Sequence, residues 1–170
     1  FTQAYEYLAR IKAPFLQPVI TLFNKTSKEV CEGQQLDMDL EKITLESMDD
    51  YVRMITLKTS VLLAASLQLG AILGGAGGGN QQHLYEFGKN LGIAFQVQDD
   101  YLDAFGDPQK FGKQVGGDIL ANKKTFLLLH AMQAADKVQS TALDELLQSK
   151  AADKVPKMLQ LYRDCGAATW

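Results

Sequence analysis

Gln96, Asp99, Asp100 and Asp103 follow the i, i+3, i+4, i+7 spacing that stacks side chains on one face of a helix. No Lys or Arg stands between Lys89 and Lys110, so three carboxylates share that stripe with no cation within helical reach. The positions around them are apolar, among them Leu91, Ile93, Ala94, Phe95, Val97, Leu102 and Phe105, which predicts a helix packed against neighbours over much of its surface. Carboxylates on a packed helix need a counter-charge or a metal brought from outside it. A hard, oxygen-only ligand set suits Mg²⁺ better than Zn²⁺, which takes His or Cys. The alternative is a solvated acidic face with no chemistry of its own.

Three groups of basic residues could answer those acids. Lys123 and Lys124 fall at the expected start of a helix, where the macrodipole disfavours cations. An anion held there by lysine and backbone N–H groups together would account for the placement. Lys113 lies in a loop with Gly112, Gly116 and Gly117, where the backbone can approach an oxyanion closely. Lys58, followed by Thr59, interrupts an otherwise apolar helix, and no acid stands three or four residues to either side of it. Taken singly, each lysine also reads as a solvated surface charge. Mg²⁺ held by aspartates and facing lysines is how phosphoryl and diphosphate groups are bound. No GxxxxGK[ST] loop is present, so the phosphate belongs to a substrate's leaving group rather than to a nucleotide.

Helices position all of these groups. Pro14 and Pro18 read as first-turn prolines of a helix running to about Lys42, with Gly33 as a place for it to bend. Ser47 with Asp50 predicts a capping box opening a helix that continues to the glycines at 74–79. Asn80 is expected to cap the helix bearing the aspartates, which Gly106-Asp107-Pro108 stops. A further helix starts between Asp118 and Thr125, and two short ones follow near 141–149 and 152–165. No strand-like alternation occurs, so the fold class is all-α, a bundle with long central helices.

Bulk properties narrow the function. A net charge of −3 with no basic stripe disfavours nucleic acid as a partner. The apolar stretch Ser60–Ala76 contains Gln68 and many small residues and falls short of the ~20 apolar residues of a membrane span. Cys31 and Cys165 lack metal-ligand spacing, His83 and His130 are isolated, and no secretory pattern opens the chain, which points to the cytoplasm.

With these residues in view, the chain resembles the trans-isoprenyl diphosphate synthases, also called polyprenyl synthetases. Four blocks in order carry the resemblance. They are Gly33-Gln34-Gln35-Leu36-Asp37; Lys58-Thr59-Ser60; Phe95-Gln96 with Asp99, Asp100 and Asp103; and Gly112-Lys113 with Gly117-Asp118 and Asn122-Lys123. The resemblance implies an isoprenoid-synthase bundle, with 1–170 as part of that single all-α domain. It implies a second aspartate-rich motif in which Asp99 binds Mg²⁺, with Asp100 and Asp103 beside it directly or through water. Lys58, Thr59, Gln96, Lys113 and Lys123 would hold an allylic diphosphate, and Asp37 would stand in an outer shell. Lys58, Asp99 and Asp100 would carry the catalysis, in which the allylic C–O bond ionises and isopentenyl diphosphate attacks the cation. Such enzymes are usually homodimers joined through central helices, a role suited to the small residues of Ala64–Ala76. The family's first aspartate-rich motif and its closing helices fall outside these residues, so an excised piece, inactive alone, is expected. The competing expectation is a non-catalytic subunit that regulates a complete synthase.

Overall fold

The computed structural model describes residues 2–40, 47–112 and 115–169, apart from the Phe111 side chain. Helices form throughout, and no strand occurs among the described residues. They are α1 (Thr2–Leu8), α2 (Ala13–Leu40), α3 (Met48–Ile55), a π turn (Thr56–Ser60), α4 (Val61–Leu73) and α5 (Gly78–Phe105). After these come α6 (Pro108–Phe111), α7 (Gly117–Leu120), α8 (Phe126–Ala134), α9 (Lys137–Gln148), α10 (Lys154–Asp164) and a closing 3₁₀ turn at Ala167–Thr169. The all-α expectation is met.

Several boundaries differ from the sequence expectation for identifiable reasons. Pro14 sits in the first turn of α2 as read, whereas Pro18 lies inside the helix, which tolerates one missing N–H. The expected end near Lys42 falls outside the described residues. α2 runs unbroken through Gly33, and the glycine serves contact rather than bending. A β-carbon there would collide with the backbone of Leu57 and Lys58, so only glycine lets the two chains approach. The Ser47 box forms, with Asp50 N donating to Ser47 Oγ at 3.1 Å and Ser47 N to Asp50 Oδ2 at 3.4 Å. The helix it opens does not continue smoothly, because the π turn intervenes before α4. α5 begins at Gly78, which places Asn80 within its first turn rather than at its cap. It stops at Phe105, and Asp107 caps α6 by accepting from Gln109 N at 2.9 Å.

The chain forms two compact units, Phe1–Met38 with Val52–Ala94, and Asp39–Tyr51 with Phe95–Trp170. The first is built on Leu8, Val19, Leu22, Ala65 and Ile72. Within it α5 lies close on α4 because Gly88 faces Ala64 and Gly92 faces Ser60, each too near for a β-carbon. Met48–Leu73 is by length and composition apolar enough to cross a bilayer. It also carries Asp49, Asp50, Arg53 and Lys58, and Ser60, Val61, Ala64 and Ala65 are buried on it, as in a core helix. The second unit is built on Ala104, Ile119, Leu127, Leu128, Ala131, Leu143 and Met158. α9 is held at its start by a capping box between Asp136 and Gln139.

Candidate active site

In the first unit, the cation that lacked an acid in sequence finds one in space. Lys58 Nζ lies 2.6 Å from Asp37 Oδ2, both partly buried. The π turn at Thr56–Ser60 presents Lys58 and Thr59, and such insertions into a helix frequently mark functional positions. Gly33 lets the Lys58 backbone settle against α2, one turn from Asp37. Two of the resemblance blocks are thus a single local structure.

An apolar groove of about 310 Å³ opens in the same unit, lined by Ala4, Phe23, Thr26, Ser27, Val30, Leu62, Ala65, Ser66 and Leu69. Leu62 lines it and is 54% exposed. Val61, its neighbour in sequence, is core, at 2% exposure. The α2 side of the groove, Phe23 to Val30, was not legible as a binding surface, because its spacing is that of any core-facing helix.

In the second unit, Asp100 and Asp103 on the aspartate face of α5 accept from neutral donors. Asp100 is buried, and its Oδ2 accepts from Tyr51 Oη at 2.6 Å and from Phe126 N at 3.0 Å. Its Oδ1 accepts from Gln96 Nε2 at 3.1 Å. Three directed hydrogen bonds meet the needs of a carboxylate that burial would otherwise penalise. Burial first, and then the Asp100 charge, push the Tyr51 hydroxyl far above the ordinary tyrosine range, so it stays a donor. Asp103 Oδ2 accepts from Asp118 N at 3.0 Å, while Gly116 N donates to the Asp103 carbonyl at 2.7 Å. Asp99, on the same face, is half-buried.

The expectation of an anion at the start of the helix after Lys124 is met by the chain itself. Phe126 is the first residue of α8, and its N–H is spent on Asp100. Lys123 stands before α8 rather than in it, with Nζ 3.4 Å from Asp118 Oδ1. Burial pushes the Asp118 carboxyl above the ordinary range, the Lys123 ammonium pulls it back, and Asp103 and Asp100 push it up. Lys124 Nζ donates to the Leu40 carbonyl. Lys113 lies outside the described residues. Asn122 takes a left-handed conformation, φ 53°, and its side chain accepts from buried Lys154 at 2.6 Å. Tyr51 and Lys154 lie outside every motif read from the sequence.

Among the described residues no three acid, histidine or cysteine side chains gather into a closed metal cage. Asp99 and Asp103, one turn apart and both half-buried, carry hard oxygens on one face of α5. That donor set fits Mg²⁺, which takes one or two carboxylates and completes its shell with water and phosphate oxygens.

Comparison with known proteins places this arrangement. The sequence profile described as polyprenyl synthetase matches residues 1–165. The chain belongs to the polyprenyl synthetase family. Among relatives of this family, a short chain isoprenyl diphosphate synthase of Methanocaldococcus jannaschii is 38% identical over 151 residues, 88% of this chain and 46% of that one. Geranylgeranyl pyrophosphate synthetase from Pyrococcus horikoshii Ot3 superposes with a TM-score of 0.90 at 34% identity, covering 99% of this chain and 52% of that one. Geranylgeranyl pyrophosphate synthase from Corynebacterium glutamicum, solved with isoprenyl diphosphate and magnesium, has a TM-score of 0.84 at 31% identity and covers 92% of this chain and 45% of that one. The chain therefore spans about half the length of the polyprenyl synthetases it matches.

Proposed function

We propose that the whole protein is a trans-prenyltransferase that condenses an allylic diphosphate with isopentenyl diphosphate to give a longer prenyl diphosphate. The observation that carries this is the aspartate face of α5. Asp99, Asp100 and Asp103 share one oxygen-rich face of α5, on which Asp100 is buried among protein donors and the half-buried Asp99 and Asp103 carry carboxylate oxygens of the kind Mg²⁺ takes. Bound there, Mg²⁺ supplies Lewis-acid stabilisation of the diphosphate leaving group.

The chain's own residues supply the rest. Lys58, paired with Asp37, and Thr59 beside it are the first unit's candidate donors to diphosphate oxygens, and Lys123 and Gln96 are the second unit's. Lys113, by its place in the glycine loop, joins them. The apolar groove along Phe23, Thr26, Val30 and Leu62 takes hydrocarbon and keeps water away from an allylic cation. The electron pair of the allylic C–O bond leaves with the diphosphate, the isopentenyl double bond attacks the carbon left behind, and a proton is lost.

A cytoplasmic homodimer is part of the proposal. Cys31 and Cys165 are both free, as a reducing compartment keeps them. Along the small-residue stretch Ala64–Ala76, Ala64, Ala65 and Ala71 are buried inside the first unit while Ser66, Gly70 and Gly74 are exposed. The larger exposed side chains of α5, Leu84, Phe87 and Leu91, are better placed to meet other protein.

The test is release of inorganic pyrophosphate by the whole protein given Mg²⁺ and both substrates. Steady release that stops when either substrate is omitted supports the transferase. No release by the protein alone, with acceleration of a complete synthase on mixing, would establish the regulatory-subunit reading instead.

A further inference from the structure

Asp99 and Asp100 are neighbours on one helix, yet their surroundings differ. Asp100 is 4% exposed, and Oδ2 has both lone pairs engaged, by the Tyr51 hydroxyl and by the first N–H of α8. Tyr51 is itself 2% exposed, and its ring lies 6.3 Å from that of Phe126. One phenol therefore ties α3, α5 and α8 at a single carboxylate. The turn of α5 that carries Asp99 and Asp103 is pinned by this contact on one side and by the Asp103–Asp118 contact on the other.

We propose that Tyr51 is a positioning residue for the metal-binding face of α5. With the Phe126 N–H it engages Asp100 as an internal strut directly beside Asp99, the carboxylate read as the metal ligand. The inference rests on the reading that Asp99 holds Mg²⁺. The strut fixes the rotation of α5 about its axis, and hence the direction in which Asp99 faces. It also ties α8, and the Lys123 segment leading into it, to the same turn of α5. Partners that orient a metal ligand in this way typically set affinity by about 10- to 100-fold.

The experiment uses the whole protein and titrates Mg²⁺ calorimetrically in the presence of inorganic pyrophosphate, alongside amide hydrogen exchange at Phe126 without metal. Tyr51→Phe keeps the ring and removes the hydroxyl. The expected result is Mg²⁺ binding weakened about tenfold, together with faster exchange at Phe126. Asp100→Asn keeps an oxygen acceptor for both donors and is expected to lose far less than Asp99→Asn. Faster exchange and a lower melting temperature in Tyr51→Phe with unchanged Mg²⁺ affinity would reduce Tyr51 to a packing role and overturn the proposal. So would a loss in Asp100→Asn as complete as that in Asp99→Asn, which would make Asp100 a ligand. Should Tyr51→Phe fail to fold, Phe126→Pro is compared with Phe126→Leu. Proline suits the first helical position and removes the N–H, while leucine keeps it with the aromatic ring likewise lost, so weaker Mg²⁺ binding in the proline variant is expected. Equal affinity in the two would contradict the strut. Native affinity in Asp99→Asn would instead overturn the metal reading itself, whatever Tyr51→Phe shows.

Discussion

Two adjacent aspartates with the same chemistry stand in different surroundings, and the proposal gives them different duties. Asp100 is buried and closes three hydrogen bonds inside the protein, whereas Asp99 is half-buried. Truncation should separate the two roles. In the whole protein, Asp99→Ala is expected to lower turnover by orders of magnitude while the helical circular-dichroism signal and the urea midpoint stay near native. Asp100→Ala strands the Tyr51 hydroxyl and the Phe126 N–H in the interior, and each unpaired donor costs about 1–3 kcal/mol. A urea titration should show that loss directly. The stripe itself was legible from helical periodicity, since 96, 99, 100 and 103 follow it without exception. Its partners were not legible. Tyr51 lies 49 residues upstream, and the Phe126 donor is a backbone group with no signature in side-chain chemistry.

At the scale of elements, close backbone approach decides what the π turn can present. Alanine at Gly33 would ordinarily favour an interior helical position by roughly 0.5–1 kcal/mol. Here the added carbon meets the Lys58 backbone, so the sign reverses, and a destabilisation of about 1–3 kcal/mol is expected from chemical denaturation of Gly33→Ala. The same substitution should weaken diphosphate binding, because it displaces Lys58. The turn before α8 makes a second prediction. Burial holds the Lys154 ammonium below the ordinary lysine value of 10.5. The unfolded chain then binds more protons than the folded one between the lowered value and 10.5, so stability rises with pH through that window. Thermal melts of the native protein and Lys154→Met, compared as the pH is raised toward 10.5, should show the native protein gaining on the variant. Helix types, the Ser47 box and the stop at Gly106 could be read from the sequence, whereas the caps at Asp107, Thr125 and Asp136 were not. The π turn could not, because an extra residue within a helix leaves the apolar period nearly unchanged. The break between α7 and α8 was hidden likewise, since it depends on Asn122 being held left-handed by Lys154, 32 residues away.

For the molecule as a whole, large apolar side chains stand exposed among the described residues. Leu84, Phe87 and Leu91 are exposed along one helix at 38%, 60% and 47%. Residues 1–170 prepared alone should self-associate in sedimentation velocity, and Phe87→Ser with Leu91→Gln should reduce it. The resemblance blocks were readable because charged and glycine residues at fixed spacing stand out from an apolar helical pattern. The groove along α2 was hidden, because apolar side chains look alike whether they line a core or a ligand site. The central claim is that this fold builds longer prenyl chains, and mass analysis of products addresses it most directly. The whole protein, given an allylic diphosphate, isotope-labelled isopentenyl diphosphate and Mg²⁺, should yield a prenyl diphosphate longer by one or more labelled isoprene units. Recovery of only the starting diphosphates, or of an unlabelled hydrolysed or cyclised primer, would contradict it.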